Sequence, residues 1–466
     1  MNTHIFILFK QWFLFGAILL LLMSCEREII DLEPATYTTN PEVFIEGFSP
    51  GLNYAAFGGS VPTAFSVDND VTYNNSAASM KFDVPDVNDP KGAYAGGVFF
   101  TETGRDLSEY DALTFWARAS KAATIDIIGF GNDLGESKFQ VSVAGLNVNN
   151  SWKKYIIPIP DASKLKLERG MFFYSEGPEN DRGYSFWIDE LKFEKLGTVA
   201  HPEHAILNGE NQVITSFSGV SETIDGLISI YNLPDGINMA VNVTPAYFEF
   251  ASSNNATATV DESGNVLVVG ADTAVITATV GGVAASGSLT IKSLGSFAHA
   301  PTPTHDPNNV ISIYTEAYPN QPVEYYNGYW APYQTTLSAD FTINGDNVLN
   351  YTNFNFVGIQ FSAPTINASQ MTHLHLEIYI PNPIVTGAQF KIQVVDFGAD
   401  GVFGGTDNSS STLTFTSPLL VSQNWIIFDI PLSSFIGLNN KAHLAQIIFE
   451  GSNLTNFYAD NIYLRK

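Results

Sequence analysis

Acidic side chains recur at matching places in two distant stretches of the chain, and their oxygens can bind a cation. The acids are Glu46, Asp68 and Asp189 in the first stretch, and Glu316, Asp346 and Asp460 in the second. Two acids of each set lie near the first and last strands, which commonly pair in a sandwich. Oxygen-only ligand sets bind Ca²⁺, so the sequence predicts one structural calcium per stretch. The alternative is that these acids are solvated at sheet edges.

A second constellation combines aromatic and polar side chains on one face of a strand. In each stretch a strand of alternating residues points apolar side chains inward and the intervening ones outward. The candidate outward residues are Trp116 and Arg118 in the first stretch and Glu377 and Tyr379 in the second. Asp126 points outward on the next strand of the first stretch. A pyranose ring has an apolar face and a polar edge, so this mixture predicts sugar binding. The alternative is that a neighbouring loop covers Trp116 and forms a second small core.

The loop Glu324–Tyr333 is unusually rich in aromatic residues separated by Gly and Pro. A short loop cannot bury so many rings, and exposed aromatic patches mark binding sites. The candidates are Tyr326, Tyr329, Trp330 and Tyr333, of which Tyr329 and Trp330 are the best. The alternative is that the loop folds over the edge of its sandwich.

Motifs for catalysis are weak. Gly47–Gly51 fits G-x-S-x-G, but Pro50 and a Gly/Asn-rich loop follow where a nucleophile elbow needs a helix. Asp396–Asp407 resembles half of an EF-hand loop without flanking helices, which leaves a looser calcium or sugar contact open. No carboxylate pair for glycoside hydrolysis stands out, because the counterpart of Glu377 is Trp116. The sequence therefore predicts a noncatalytic protein.

The elements that must position these residues occur twice. Residues 110–193 and 371–464 share one order of features, including a Trp before an apolar strand at Trp152 and Trp425. Each unit is long enough to form its own hydrophobic core, so the repeat predicts a duplicated domain. Two copies predict more than one binding site for the same ligand. Short alternating runs punctuated by Gly, Asn, Asp and Pro predict an all-β chain.

Composition limits the partners. The 466 residues are enough for about three domains, and 45% of them are hydrophobic. The 47 acids against 21 bases give a net charge of −26. Because nucleic acids require clustered Lys and Arg, no nucleic-acid partner is expected, and a neutral ligand or a cation fits better.

The N-terminus has the features of an export signal, predicted at residues 1–24. Its apolar run, residues 12–23, is short for a membrane span. Leu22–Cys25 resembles the lipobox of bacterial lipoproteins, in which the cysteine is lipidated, and Cys25 is the sole cysteine. The acidic tether, residues 25–37, is similar to the surface-export tether of Bacteroidota lipoproteins. This resemblance implies a lipid-anchored protein on the outer face of the outer membrane.

The middle of the chain has a different amino-acid pattern. Residues 248–292 alternate Val, Ile, Thr and Ala between Gly- and Asn-containing turns and resemble the bacterial Ig-like domain, group 2. We expect this domain at 204–293, in a structural role, between domains at 38–196 and 300–466. The expected fold class is therefore all-β, with two β-jelly-roll sandwiches flanking an Ig-like β-sandwich.

Each repeat looks like the carbohydrate-binding-module-like jelly rolls that accompany bacterial polysaccharide utilisation. The segments Val310–Tyr318, Met371–His375 and Asp460–Tyr463 resemble modules appended to flavobacterial laminarinases of glycoside hydrolase family 16. The resemblance implies a structural calcium and suggests laminarin-like β-glucan as ligand. We expect a noncatalytic surface protein that delivers polysaccharide to an outer-membrane glycan transporter complex. The alternatives are a glycan-cleaving enzyme and an adhesin or scaffold that binds protein.

Overall fold

A computed structural model describes residues 37–343 and 345–466. The predicted signal, Cys25 and all but the last residue of the predicted tether lie outside these residues, as does Asn344. The described chain consists of β-strands and connecting loops with a few single-turn 3₁₀ helices, which confirms the all-β fold class. None of the helices within these ranges has the length and apolar character needed to cross a bilayer.

The chain divides into two compact units. The first contains the described residues up to His201 together with Ile230–Tyr247, and the second contains Pro202–Ser229 and Phe248–Lys466. The segment predicted as one Ig-like domain is therefore shared, because residues 230–247 belong to the first unit. Strands β12 (Ala200–Ala205) and β15 (Ile228–Asn232) include the points where the chain changes unit.

The first unit contains two antiparallel sheets. Its strands are β1 (Glu42–Phe44), β2 (Leu52–Ala56), β3 (Phe65–Asp68), β4 (Ser79–Val84), β5 (Ala95–Arg105), β6 (Ala112–Ala119), β7 (Ala123–Phe130), β8 (Val141–Val148), β9 (Lys153–Pro158), β10 (Glu168–Glu176), β11 (Tyr184–Glu194) and β16 (Asn238–Val243). One sheet has the order β3-β4-β11-β6-β9, with β1 paired to β11. The other has the order β2-β5-β10-β7-β8-β16.

The core of this sandwich follows from the alternation along its strands. On β6 the side chains of Leu113, Phe115 and Ala117 are fully buried, as their parity predicts. Burial of a large apolar side chain stabilises the fold by about 1.5–3 kcal/mol. The inner rings pack edge-to-face, as Phe82 and Tyr174 do at 4.3 Å between centroids.

A buried acid gives the first unit a predictable pH dependence. Burial raises the pKa of Glu168 from 4.5 to about 7, although the N–H groups of Arg169 and Gly170 donate to its carboxylate. The folded unit therefore binds a proton that the unfolded chain releases near pH 4.5, and stability falls as pH rises from about 4.5 to 7.

We expect Glu168→Gln to remove the contribution of Glu168 to this pH dependence, since glutamine keeps an acceptor oxygen and carries no charge. The contribution of Glu176 stays, because burial raises the pKa of that acid to about 7 as well. The slope removed corresponds to about 3 kcal/mol across this pH range. Chemical denaturation between pH 4.5 and 7.5 measures it, with the exposed Glu102→Gln as control. Equal pH slopes in wild type and Glu168→Gln would contradict the assignment.

The second unit contains the remaining strands. These are β13 (Asn211–Ser216), β14 (Ser221–Thr223), β17 (Glu249–Ser252), β18 (Ala258–Val260), β19 (Asn265–Val268), β20 (Asp272–Val280), β21 (Val283–Ser286), β22 (Ser288–Ser293), β23 (Val310–Tyr314), β24 (Leu337–Ile343), β25 (Asp346–Thr352), β26 (Phe356–Gln360), β27 (His373–Tyr379), β28 (Gln389–Asp396), β29 (Ser409–Thr416), β30 (Trp425–Pro431), β31 (Leu444–Ser452) and β32 (Asn456–Arg465).

Strands β23–β32 form a sandwich with the strand order of the first unit. One sheet runs β24-β25-β32-β27-β30, with β23 paired to β32, and the other runs β26-β31-β28-β29. These two orders match β3-β4-β11-β6-β9 and β5-β10-β7-β8 of the first unit, strand for strand. The two sandwiches therefore share one topology, as a duplication predicts. Strands β13-β22-β20-β21, with β17 on β20, and β14-β19-β18 form two further sheets in the stretch predicted to be Ig-like.

Candidate functional site

A groove of about 560 Å³ lies on the outer face of the sheet β26-β31-β28-β29. Alternation along these strands places Val357, Ile392 and Phe449 in the core and their neighbours in the groove. The lining side chains are Trp330, Gln360, Gln393, Val395, Phe403, Ser410, Gln446 and Ile448. Two aromatic rings and three amides thus converge on one open surface.

The Trp330 ring packs closely against two glycines, Gly358 and Gly328, which have no side chain to displace it. A Cβ atom at Gly358 on β26 would collide with the Trp330 ring, so this strand position accepts only glycine in the observed arrangement. The same holds at Gly328, in the loop that carries Trp330. The indole Nε1 donates to the hydroxyl of Tyr325 at 3.3 Å. The ring is therefore positioned before any ligand arrives.

A chain of hydrogen bonds fixes the amides of the groove. The Tyr325 hydroxyl donates to Oε1 of Gln360 at 2.7 Å, and Nε2 of Gln446 donates to the same oxygen at 2.7 Å. Nε2 of Gln360 donates to the Ser362 hydroxyl at 3.1 Å. The Gln360 amide is thereby used by the protein. Among the described residues, Oε1 of Gln446 and the Gln393 amide have no hydrogen-bond partner and can bond a ligand.

The chemistry of the lining suits a neutral polyol with an apolar face. None of the lining side chains is ionisable. Val395 and Ile448 provide an apolar floor beside Trp330, on which a sugar ring can stack. The Gln393 amide can donate hydrogen bonds to hydroxyl groups and accept them, and Oε1 of Gln446 can accept them.

The first unit repeats the arrangement of an aromatic ring over a strand glycine. In the second unit one cross-strand row joins Gly358, Ile448 and Gln393. The corresponding row in the first unit joins Gly96, Ser175 and Ile127. A side chain at Gly96 would collide with the ring of Tyr94. In this row Ile127 lies beside Ser175, where the second unit has Gln393 beside Ile448.

The aromatic loop contributes unequally to the groove. Of its predicted binding residues, Trp330 alone lines it. Tyr326 packs against the core and its hydroxyl donates to the Ile313 carbonyl at 3.0 Å. Tyr329 is exposed and its hydroxyl lies 3.0 Å from that of Ser338, whereas Tyr333 is 79% exposed and outside the lining.

The predictions for Glu377 and Tyr379 as sugar-binding residues are wrong, because both are buried. Glu377 is 2% exposed and accepts a hydrogen bond from Asn461. Tyr379 is 5% exposed, since Phe217 and Phe297 pack against it. Segments far away in sequence cover this sheet face, so it cannot present a sugar platform.

Trp116 and Arg118 lie on a half-covered face of the first unit. Tyr73 stacks on Trp116 with ring centroids 3.9 Å apart and a 14° interplanar angle. The Arg118 guanidinium lies 5.8 Å from the Trp187 ring centroid. Tyr73 therefore covers one face of the Trp116 indole. Asp126 is exposed and its carboxylate accepts from the Gly177 N–H at 3.0 Å.

The structure brings together the three acids predicted as metal ligands in the second unit. Carboxylate oxygens of Glu316, Asp346 and Asp460 all lie within 4.8 Å of one another. Burial, and then the nearby charges of Asp346 and Glu316, raise the pKa of Asp460 to about 8. The cluster thus concentrates negative charge around a buried carboxyl, which is the donor set that a hard cation requires.

The three acids of the first unit do not form such a cluster within the described ranges. Asp189 accepts from the Tyr73 N–H at 2.8 Å, and Glu46 accepts from the Ala77 N–H. Asp68 accepts from Nε1 of Trp187 at 2.9 Å. Peptide and indole N–H groups therefore satisfy carboxylates of the first unit whose counterparts in the second unit face one another. Calcium binding by Glu46, Asp68 and Asp189 stays a prediction.

The family model of carbohydrate binding domain 30 matches residues 50–195, just under a third of the chain. This range falls in the first unit, whereas the sequence resemblance was stronger in the last domain. The match supports a carbohydrate-binding β-sandwich over these residues. No curated protein matches the chain significantly.

Several solved structures are similar. The family 30 carbohydrate-binding module of the cellulosomal cellulase Cel9D-Cel44B of Clostridium thermocellum is 18% identical over 34% of this chain and 95% of its own, with a TM-score of 0.23. The CBM22-1–CBM22-2 tandem of Paenibacillus barcinonensis Xyn10C is 11% identical over 93% of this chain and 99% of its own, with a TM-score of 0.22.

Sequence reasoning missed most of the groove. Gln360, Gln446 and Ser410 belong to no local motif, and Phe403 lies in the loop whose sequence resembles half of an EF-hand. The usable signal was outward parity on β28, which singles out Gln393 and Val395. Parity does not reveal which outward faces remain open.

Proposed function

We propose that the chain is a noncatalytic polysaccharide-binding protein whose ligand is a neutral β-glucan such as laminarin. The observation that carries the proposal is the groove on β26-β31-β28-β29, where Trp330 and free amide groups share a surface without ionisable side chains. The carbohydrate binding domain 30 match at residues 50–195 supports the same chemistry in the first unit. Desolvating an ionised glycan beside uncharged side chains is unfavourable, so neutral glucans are preferred.

Attachment and delivery complete the proposal. Lipidation of Cys25 would hold the chain on the outer face of the outer membrane, where it would pass glycan to a transporter complex. A glucan long enough to reach the binding faces of both units would be held by avidity, because the second contact becomes intramolecular.

The second unit would hold one structural Ca²⁺ between Glu316, Asp346 and Asp460. These carboxylates fit the ion, since their oxygens are close enough to share it and the raised pKa of Asp460 reports a site short of positive charge. The ion would supply that charge and tie β23 and β25 to β32. In the first unit the described acids do not form a comparable cluster, and the calcium expected there stays a prediction.

Affinity electrophoresis of the whole chain in gels containing laminarin, mixed-linkage β-glucan or mannan tests binding. We expect retardation by at least one β-glucan and none by an oxidised, carboxylated glucan. Absence of retardation on every glycan would refute the proposal and favour a scaffold that binds protein. Release of reducing ends from a retained glucan would instead show an enzyme.

A further inference from the structure

The 397–408 loop, between β28 and β29, is fixed at its base by its own acids and carries an exposed phenylalanine, Phe403, at its tip. At the base, Asp396 accepts from the Gly398 N–H at 2.9 Å, and Asp407 accepts from the Ala399 N–H at 2.8 Å. These bonds close the ends of the loop above the sheet. The loop shares two acids and several glycines with cation-binding loops, yet its carboxylates are used to hold its own backbone.

The tip of the loop carries Phe403, which is followed by two glycines. Gly404 and Gly405 follow it with φ of 105° and 83°, in the region that side-chain-bearing residues avoid. The Asn408 side chain bonds the carbonyl and the N–H of Gly404 at 2.7 and 3.0 Å, so the backbone is held there and the tip can change direction at Gly405. A phenylalanine next to such a hinge can move its ring without disturbing β28 or β29.

Phe403 lies at the edge of the groove and remains exposed to solvent. Its side chain is 73% exposed, although it lines the groove that Trp330 also lines. Its ring contacts Phe397, with centroids 5.4 Å apart. Phe397 is itself buried in a small cluster with Val395 and Ala445. An exposed aromatic ring beside an open groove leaves unused apolar area that a ligand can cover.

We propose that Phe403 is the second aromatic wall of the groove and that the 397–408 loop closes it over a bound glucan, opposite Trp330. The proposal rests on the proposed function, because the ligand that closes the loop is the neutral glucan of the same groove. Trp330 is preset by Gly358 and Gly328 and receives the sugar. Phe403 then covers it, and its main effect falls on the rate of release.

Surface plasmon resonance of the whole chain over immobilised laminarin tests this step. We expect Phe403→Ala to weaken binding about tenfold, mostly through faster dissociation, since interface truncations act chiefly on dissociation. The matched control is Val402→Ala, which removes a neighbouring side chain that is 60% exposed and does not line the groove. Both residues are exposed, so neither variant should unfold.

The possible outcomes distinguish failure of the loop-closure proposal from failure of the proposed glucan-binding function. Wild-type affinity in Phe403→Ala, together with loss of binding in Trp330→Ala, would overturn the closing loop and leave the groove intact. A weaker Phe403→Ala whose dissociation rate is unchanged would also overturn closure. No binding by the wild-type chain would remove the proposed function itself. Equal losses in Phe403→Ala and Val402→Ala would show a surface patch rather than a wall of the groove.

Discussion

Trp330→Ala is expected to weaken binding of the whole chain to laminarin about 30-fold or more. Removing a central aromatic side chain from a binding surface typically costs at least about 2 kcal/mol. The loss should be large because Trp330 is preset on Gly358 and forms the broad apolar surface of the groove. Isothermal titration with a laminarin oligosaccharide measures the affinity.

Tyr333→Ala is the matched control for this prediction. Tyr333 lies in the same loop and is more exposed, but it does not line the groove. We expect its affinity to stay within about twofold of wild type, which is less than 0.5 kcal/mol. If Tyr333→Ala loses affinity and Trp330→Ala does not, the binding surface is the exterior of the loop.

Calcium is expected to raise the unfolding temperature of the second unit by about 5–10 °C. Ligand at 100 times its Kd stabilises the folded state by about 2.7 kcal/mol, and each kcal/mol shifts a unit of this size by about 2–4 °C. Asp460→Asn should abolish the shift. It should leave the chelated protein about as stable as wild type at neutral pH, because the Asp460 carboxyl, with a pKa of about 8, is then mostly protonated and the amide likewise carries no charge. Scanning calorimetry with calcium or with chelator measures both effects.

Asp189→Asn provides the comparison for calcium. Asp189 holds the corresponding place in the first unit, but it accepts hydrogen bonds from Tyr73 and Glu190. Its replacement should lower the stability of the first unit and leave the calcium shift of the second unchanged. A calcium shift that persists in Asp460→Asn would place the ion elsewhere.

Much of the fold could be predicted from the sequence because its signals are local. Alternation along β6 correctly assigned Leu113, Phe115 and Ala117 to the core, and the shared order of features revealed the duplication. The acids Glu316 and Asp460 were placed together because the first and last strands of a sandwich tend to pair, and β23 does pair with β32.

The site was predicted less well because exposure is decided by partners far away in sequence. Tyr379 points outward, as its parity predicts, yet Phe217 covers it from more than 150 residues away. Trp116 is covered by Tyr73 from a loop that carries no aromatic motif. The groove itself exists only once Gly358, Ile448 and Gln393 stand in one row, and no local pattern encodes that register.

The most direct test of the central claim is a crystal structure of the whole chain with a β-1,3-glucan hexasaccharide. We predict a sugar ring stacked on Trp330, with hydroxyl groups bonded to the amides of Gln393 and Gln446. Sugar bound at the Trp116 face, with the groove on β26-β31-β28-β29 empty, would contradict it.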